Sequence, residues 1–194
     1  MENDPFLRFA AWYTEAEKAI PVDPNAMVLS TVGPDGAPSA RVVLLKGFDA
    51  GGFIFYTNTQ SRKGRELAGN PLAALTFHLR PLGRQVRIEG RVTPVAASEA
   101  DAYFASRPRG AQVGAWASDQ SAPLPARAAL EARVAEVEAR FRDRPVPRPP
   151  HWLGYRLVPS RIEFWTGRDD RLHERELFQR TAPDGAWSVQ LLYP

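Results

Sequence analysis

Hydrophobic positions change period several times along this chain, and each change predicts an element. Phe6, Phe9, Ala10, Tyr13, Ala16 and Ile20 recur at helical spacing, which predicts an amphipathic helix over 6–20 with Asp4-Pro5 as its start signal. The period then falls to two. Residues 26–32 and 37–46 flank Gly33-Pro34-Asp35-Gly36, a turn sequence with two glycines free to take positive φ, and the three segments read as a hairpin. A third strand over 53–57 follows the turn Asp49-Ala50-Gly51-Gly52. Ser61 is placed to cap a short helix over 62–69 that stops at Gly69-Asn70-Pro71, and strands over 72–79 and 84–95 come next.

The second half begins with a helix over 98–107, where Ser98 and Asp101 make a capping-box-like start. A longer helix over 126–142 is rich in Ala, Arg and Glu, with i,i+4 pairs such as Glu136–Arg140. Residues 143–150 carry too many prolines for a helix and read as an extended connector. Strands over 152–158, 161–166 and 175–191 finish the chain, the last interrupted by Ala182-Pro183-Asp184-Gly185. Antiparallel strands with inserted helices, rather than βαβ alternation, predict an α+β protein built on an antiparallel β-barrel. The strands after the connector are too few for a core of their own. A single domain over 1–194 is therefore expected, with about 151–194 completing the barrel and the active site.

Composition narrows the chemistry. The chain has no cysteine, which removes disulfides, thiolate metal sites and cysteine nucleophiles together. His78, His151 and His173 form no metal-ligand spacing, so no metal site is expected. A net charge of +3 without a basic run argues against nucleic acid and suits a small anionic ligand. No apolar run approaches the roughly 20 residues that span a bilayer. The acidic start Met1-Glu2-Asn3-Asp4-Pro5 lacks the basic region of a signal peptide, so a cytoplasmic location is expected.

Five segments could carry chemistry, and each also has an ordinary structural explanation. Arg41 and Lys46 bracket an apolar run, but on a regular strand their parity puts them on opposite faces unless a bulge or twist intervenes. Arg62 and Lys63 in the first turn of a helix oppose its dipole unless an anion sits there; exposed surface cations are the alternative. Gln85 offers both donor and acceptor, as a flavin or pyrimidine edge would demand, although a solvent-facing Gln is equally ordinary. Tyr103 and Arg107 share a helical face suited to a phosphate, and Trp116, Gln120 and Ser121 follow in what reads as a loop. In Arg171-Leu172-His173-Glu174-Arg175, an extended strand would project Arg171, His173 and Arg175 together. Such a face calls for an anionic or electron-rich partner, or is a charge-protected strand edge.

In order and together, these segments resemble the pyridoxamine 5′-phosphate oxidase family. The resemblance is carried by RVVLLK (41–46), FYTN (55–58), SRK (61–63), RQV (84–86), YFASRPR (103–109), GAW followed by QS (114–121), IEFW (162–165), RLHER (171–175) and the terminal FQR plus AW. It implies an FMN-binding split barrel and a homodimer with FMN at two interface sites. By match to the family motifs, FMN would be contacted by Arg41, Val42, Val43, Leu44, Leu45, Lys46, Tyr56, Thr57, Arg62, Lys63, Gln85, Gln120, Ser121, Trp165 and Arg175. Lys46, Tyr103 and Arg107 would hold the substrate phosphate, and Arg171 and His173 would cover the pyridine ring as the catalytic pair.

The implied reaction moves a hydride from C4′ of pyridoxine 5′-phosphate or pyridoxamine 5′-phosphate to flavin N5. Oxygen then becomes hydrogen peroxide, and the product is pyridoxal 5′-phosphate. Two positions depart from the family pattern. Ala111 stands where the family carries a serine, and only Met1-Glu2-Asn3 precede the helical region where members carry a closing arm, so no such lid is expected. Two other readings stay open: a split-barrel flavin oxidase of another aromatic substrate, of the dihydrophenazine type, and a flavin- or pyridoxal-phosphate-binding protein with little turnover.

Overall fold

Asp4 starts the first element as predicted. Its carboxylate accepts hydrogen bonds from the Phe6 and Leu7 amides, capping helix α1 (Pro5–Ala19). The computed structural model describes residues 4–194, so the expectation about an N-terminal arm lies outside the described residues. The apolar stripe of α1 buries Phe6, Phe9, Trp12 and Ala16. Phe9 meets Phe48, Phe53 and Phe77 edge-on, with ring centres 4.8, 4.9 and 5.2 Å away.

Those rings belong to one curled antiparallel sheet of nine strands. They are β1 (Ala26–Val32), β2 (Pro38–Leu44), β3 (Gly47–Asp49), β4 (Gly52–Asn58), β5 (Leu72–Leu79), β6 (Arg84–Pro94), β7 (Trp152–Thr166), β8 (Glu174–Gln179) and β9 (Ser188–Leu192). The order is β2-β1-β5-β6-β7-β4-β3, with β8 bridging β7 and β9. Strand β7 is where the barrel splits. Its first half, 152–157, pairs with β4, and its second half, 161–166, pairs with β8, while β6 follows both halves on the other edge. The register shifts at Glu89/Gly90 opposite Pro159 and Arg161. A Cβ on Gly90 would lie 2.1 Å from the Val158 carbonyl oxygen, so only glycine permits this approach.

Several expectations hold closely. The β1–β2 hairpin closes with the Gly33 amide donating to the Ala37 carbonyl at 2.9 Å, and Gly36 sits at φ +77°. Ser61 accepts from the Gly64 amide and caps helix α2 (Arg62–Gly69). Others are corrected. The strands predicted over 152–158 and 161–166 are one strand, because a bulge rather than a turn separates them. The segment 175–191 is two strands, β8 and β9. Helix α3 (Ala97–Ser106) starts one residue early, with Ala96 at its cap and no side-chain cap bond, so the Ser98 capping box does not form.

Two elements were not predicted: β3, and helix α4 (Arg109–Ala117). Gly110 and Gly114 depress helical propensity in α4, yet Gln112, Val113 and Ala117 bury one face of it. Helix α5 (Arg127–Arg140) follows. A second apolar cluster of Phe104, Val113, Phe141, Val146 and Trp152 fastens α3, α4 and the connector to the start of β7. Among the described residues, no helix is long and apolar enough to cross a membrane.

Candidate active site

A cavity of about 960 Å³ opens between the end of β2, the end of β4, the start of α2 and the α3–α4 layer. Arg41 and Lys46 both line it despite their parity. The reason is local: β2 ends at Leu44, and the chain breaks from the strand before β3. The Leu45 amide donates to the Asn25 carbonyl and the Lys46 amide to Ile54, each at 2.8 Å. Leu45 itself turns into the core. Val42, Val43 and Leu44 supply the apolar part of this wall.

Behind Arg41 lies a buried carboxylate. Glu66, 5% exposed, accepts from Thr31 and Ser39 hydroxyls, from Arg62 Nε at 2.8 Å and from Arg41 Nη2 at 3.2 Å. Burial pushes the carboxyl pKa up, but the hydrogen bonds from Ser39, Thr31 and Arg62 outweigh it and hold it at about 2. The Arg62 side chain therefore folds back along its own helix and is 61% exposed, while its amide donates to Ser121 Oγ at 3.1 Å.

Lys63 points the other way. Its side chain is buried, and Nζ donates to Gln120 Oε1 at 3.0 Å, an oxygen that also accepts from Thr57 Oγ1. Burial, then the nearby Arg41 charge, lowers the Lys63 pKa. Tyr56, Thr57, Lys63, Gln120 and Ser121 all line the cavity. Ser121 takes φ +76°, a left-handed conformation costing a non-glycine residue roughly 1–2 kcal/mol.

The facing wall comes from α3. Tyr103 stacks on Tyr56 with ring centres 4.1 Å apart, and Tyr56 stacks on Trp152 at 5.0 Å. Burial, then the Glu99 and Tyr103 charges, raise the Tyr56 pKa to about 12, so the phenol stays protonated. The Arg107 guanidinium lies over the Trp152 ring, and its Nη1 is buried with no hydrogen-bond partner among the described residues. Burial lowers its pKa. An unpaired buried donor costs roughly 1–3 kcal/mol, more for a charged group, and an anion in the cavity would relieve it. Ala111 lines the cavity with a methyl group only. In sum, Arg41, Lys46, Lys63 and Arg107 face the cavity, and among the described residues no Asp or Glu lines it.

Of the predicted residues, Leu45, Arg62, Gln85, Trp165, Arg171, His173 and Arg175 do not line this cavity. Gln85, Trp165 and Arg175 are cross-strand neighbours on β6, β7 and β8. Glu163 grips Arg175 at 2.9 and 3.1 Å, which raises the Arg175 pKa, and the Tyr193 carbonyl accepts from it at 3.0 Å. The His173 ring sits 4.6 Å from that of Trp165, and its Nδ1 accepts from the Arg168 amide. The alternation predicted for 171–175 does not form. Strand β8 begins only at Glu174, and Asp169–Arg171 is a short 3₁₀ turn with Asp170 and Arg171 at φ +54° and +61°. Arg171 lies in a turn, not in a strand.

Sequence reasoning missed Glu66 and Trp152. An i,i+4 pair with Arg62 is a signal for Glu66, but such pairs are usually solvated surface contacts. Trp116, read as a loop residue, lies in α4 and donates Nε1–H to the Pro147 carbonyl at 2.7 Å.

Comparison with known proteins fits this geometry. A family model described as "Pyridoxamine 5'-phosphate oxidase" matches residues 13–141, and one described as "Pyridoxine 5'-phosphate oxidase C-terminal dimerisation region" matches 152–194. The "Pyridoxine/pyridoxamine 5'-phosphate oxidase" of Myxococcus xanthus (strain DK1622) is 62% identical, covering 98% of this chain and 92% of the relative. The enzyme of the same name from Caulobacter vibrioides (strain NA1000 / CB15N) is 61% identical over 100% of this chain and 86% of its own. A crystal structure of PhzG from Burkholderia lata 383, in complex with tetrahydrophenazine-1-carboxylic acid, superposes with a TM-score of 0.92. It is 36% identical and covers 99% of this chain and 93% of that one. Fold and relatives together define an oxidoreductase of the split-barrel class. The chain belongs to the pyridoxamine 5′-phosphate oxidase family.

Proposed function

We propose that this chain oxidises pyridoxine 5′-phosphate and pyridoxamine 5′-phosphate to pyridoxal 5′-phosphate with FMN as cofactor, acting as a homodimer. The observation that carries the reading is the cavity wall, which among the described residues has four cations, no carboxylate, and a buried Arg107 nitrogen without a partner. Cofactor and substrate each bring a phosphate monoester, and this donor set suits two such groups. Bound FMN would supply the hydride acceptor for substrate C4′ and the route of the electrons to oxygen.

The chain's own residues do the rest. Arg41 and Lys63 hold the cofactor phosphate, while Lys46, Tyr103 and Arg107 hold that of the substrate. Thr57, Gln120 and Ser121 tie the α2 start to the loop after α4 and keep Lys63 aimed inward. Val42, Val43 and Leu44 exclude water from one wall. Gln85, Trp165, Arg171, His173 and Arg175 lie outside the cavity of their own chain, and a second copy supplies them. The dimerisation-region match over 152–194, which contains four of these five, supports that arrangement. Arg171 and His173 then orient the pyridine ring so that C4′ is held close to the hydride acceptor.

The test is oxygen-dependent formation of pyridoxal 5′-phosphate and peroxide by purified protein saturated with FMN. Turnover of both B6 phosphates is expected. Protein that binds no FMN, or that turns over a dihydrophenazine carboxylate but neither B6 phosphate, overturns the reading.

A further inference from the structure

We infer that Glu66 is a positioning residue for the cofactor phosphate: it pins the Arg41 guanidinium at the cavity wall and lets Arg41 and Lys63 sit side by side. This rests on the flavin reading above. Arg41 faces the cavity but makes all its hydrogen bonds behind it, to the Leu29 carbonyl, Thr31 Oγ1, Ser39 Oγ and Glu66.

The hydrogen directions in that set are fixed by chemistry. A guanidinium can only donate, so the Thr31 and Ser39 oxygens accept from Arg41. Each hydroxyl then has one proton left, and both donate it to Glu66, which as a carboxylate can only accept. Both hydroxyls relay from cation to anion, and no member of the set is left without a partner. Without the carboxylate, the two O–H groups lose their acceptor and the relay loses its direction.

Glu66 also sets a balance of charge. Arg41 and Lys63 are close enough that the Arg41 charge depresses the Lys63 pKa, and the Glu66 charge opposes that effect. Its helix is the one that carries Lys63, and its partners Thr31, Ser39 and Arg41 lie on β1 and β2. Glu66 therefore fixes the distance between the two cations by joining the elements that bear them.

Two views predict opposite signs. If Glu66 acted only as a nearby negative charge, its removal would tighten binding of an anionic ligand. If it positions Arg41, its removal loosens binding. We expect Glu66→Ala to weaken FMN affinity about tenfold or more, measured by quenching of flavin fluorescence, with riboflavin affinity nearly unchanged because riboflavin lacks the phosphate. Glu66→Gln keeps an oxygen for the two hydroxyls and should fold where alanine does not; it is expected to lose several-fold. On an Arg41→Ala background, neither change should cost further affinity.

Unchanged or tighter FMN binding by both variants overturns the inference. So does an equal loss for FMN and riboflavin, or a loss that persists without Arg41. Wild-type protein that does not bind FMN overturns the flavin reading and this inference with it.

Discussion

Arg107 lies over Trp152, its guanidinium carbon 4.9 Å from the ring centre, and its buried Nη1 has no partner among the described residues. Arg41, across the same cavity, has a buried carboxylate for a partner. The difference is chemical. An aromatic face holds a cation without neutralising it or using up its N–H groups, whereas a carboxylate does both. Arg41 is a cation already held in place from behind in the free protein, and Arg107 is one with a donor still unused.

Arg107 should therefore act on substrate rather than on cofactor. Replacing it with Ala removes a charge-assisted hydrogen bond worth about 1.5–3 kcal/mol, or roughly 10–150-fold in KM for either B6 phosphate. FMN affinity should stay within about twofold of wild type. Steady-state kinetics alongside flavin titration check this. A variant that loses flavin and substrate affinity in parallel would place Arg107 at the wrong phosphate.

Ala111 gives the reverse experiment. It lines the cavity wall that Arg107 shares, and its methyl group offers no donor. Ala111→Ser should lower KM by about 0.5–1.5 kcal/mol, a factor of roughly two to ten, with kcat little altered. If KM does not fall, another group already fills that place in the phosphate shell.

Lys63 makes cofactor binding depend on pH. Its pKa lies below the usual lysine value of 10.5, through burial first and the Arg41 charge second. A phosphate beside it favours the charged form and raises the pKa again. Between the free-protein and bound pKa values, binding must take up a proton, so FMN affinity falls as pH rises through that window. Titrations at increasing pH should show this alkaline loss, and Lys63→Met should abolish its slope while weakening binding overall. An affinity that stays flat from neutral pH upward would contradict it.

Much of this was legible in the chain. The hairpin at Gly33–Gly36, the Ser61 cap and the Asp4 start signal are local effects, and each appears where its residues stand. What was not legible depends on partners distant in sequence. Glu66 looks like half of a surface pair until β1 and β2 fold over it with Thr31 and Ser39. Strand β7 looks like two strands because Pro159-Ser160 reads as a break, and only the pairing with β6 turns it into a bulge. The alternation of 171–175 failed for a local reason as well. Asp170 and Arg171 adopt left-handed backbone, which no period-two pattern anticipates.

The separation of the predicted residues into two groups can be tested directly. Arg41, Lys63 and Arg107 line the cavity, whereas Gln85, Trp165, Arg171, His173 and Arg175 do not. If each site takes one group from each chain, Arg41→Ala and Arg171→Ala proteins should each be nearly inactive, yet restore activity when combined. In a heterodimer of the two, one site carries both defects and the other carries neither. Random assortment from an equal mixture makes about half of all dimers mixed, so turnover should recover to about a quarter of wild type. Dissociation and reassembly of the mixture, or coexpression, followed by the peroxide assay, gives the number. No recovery beyond the sum of the separate variants would mean that both groups serve a site within one chain.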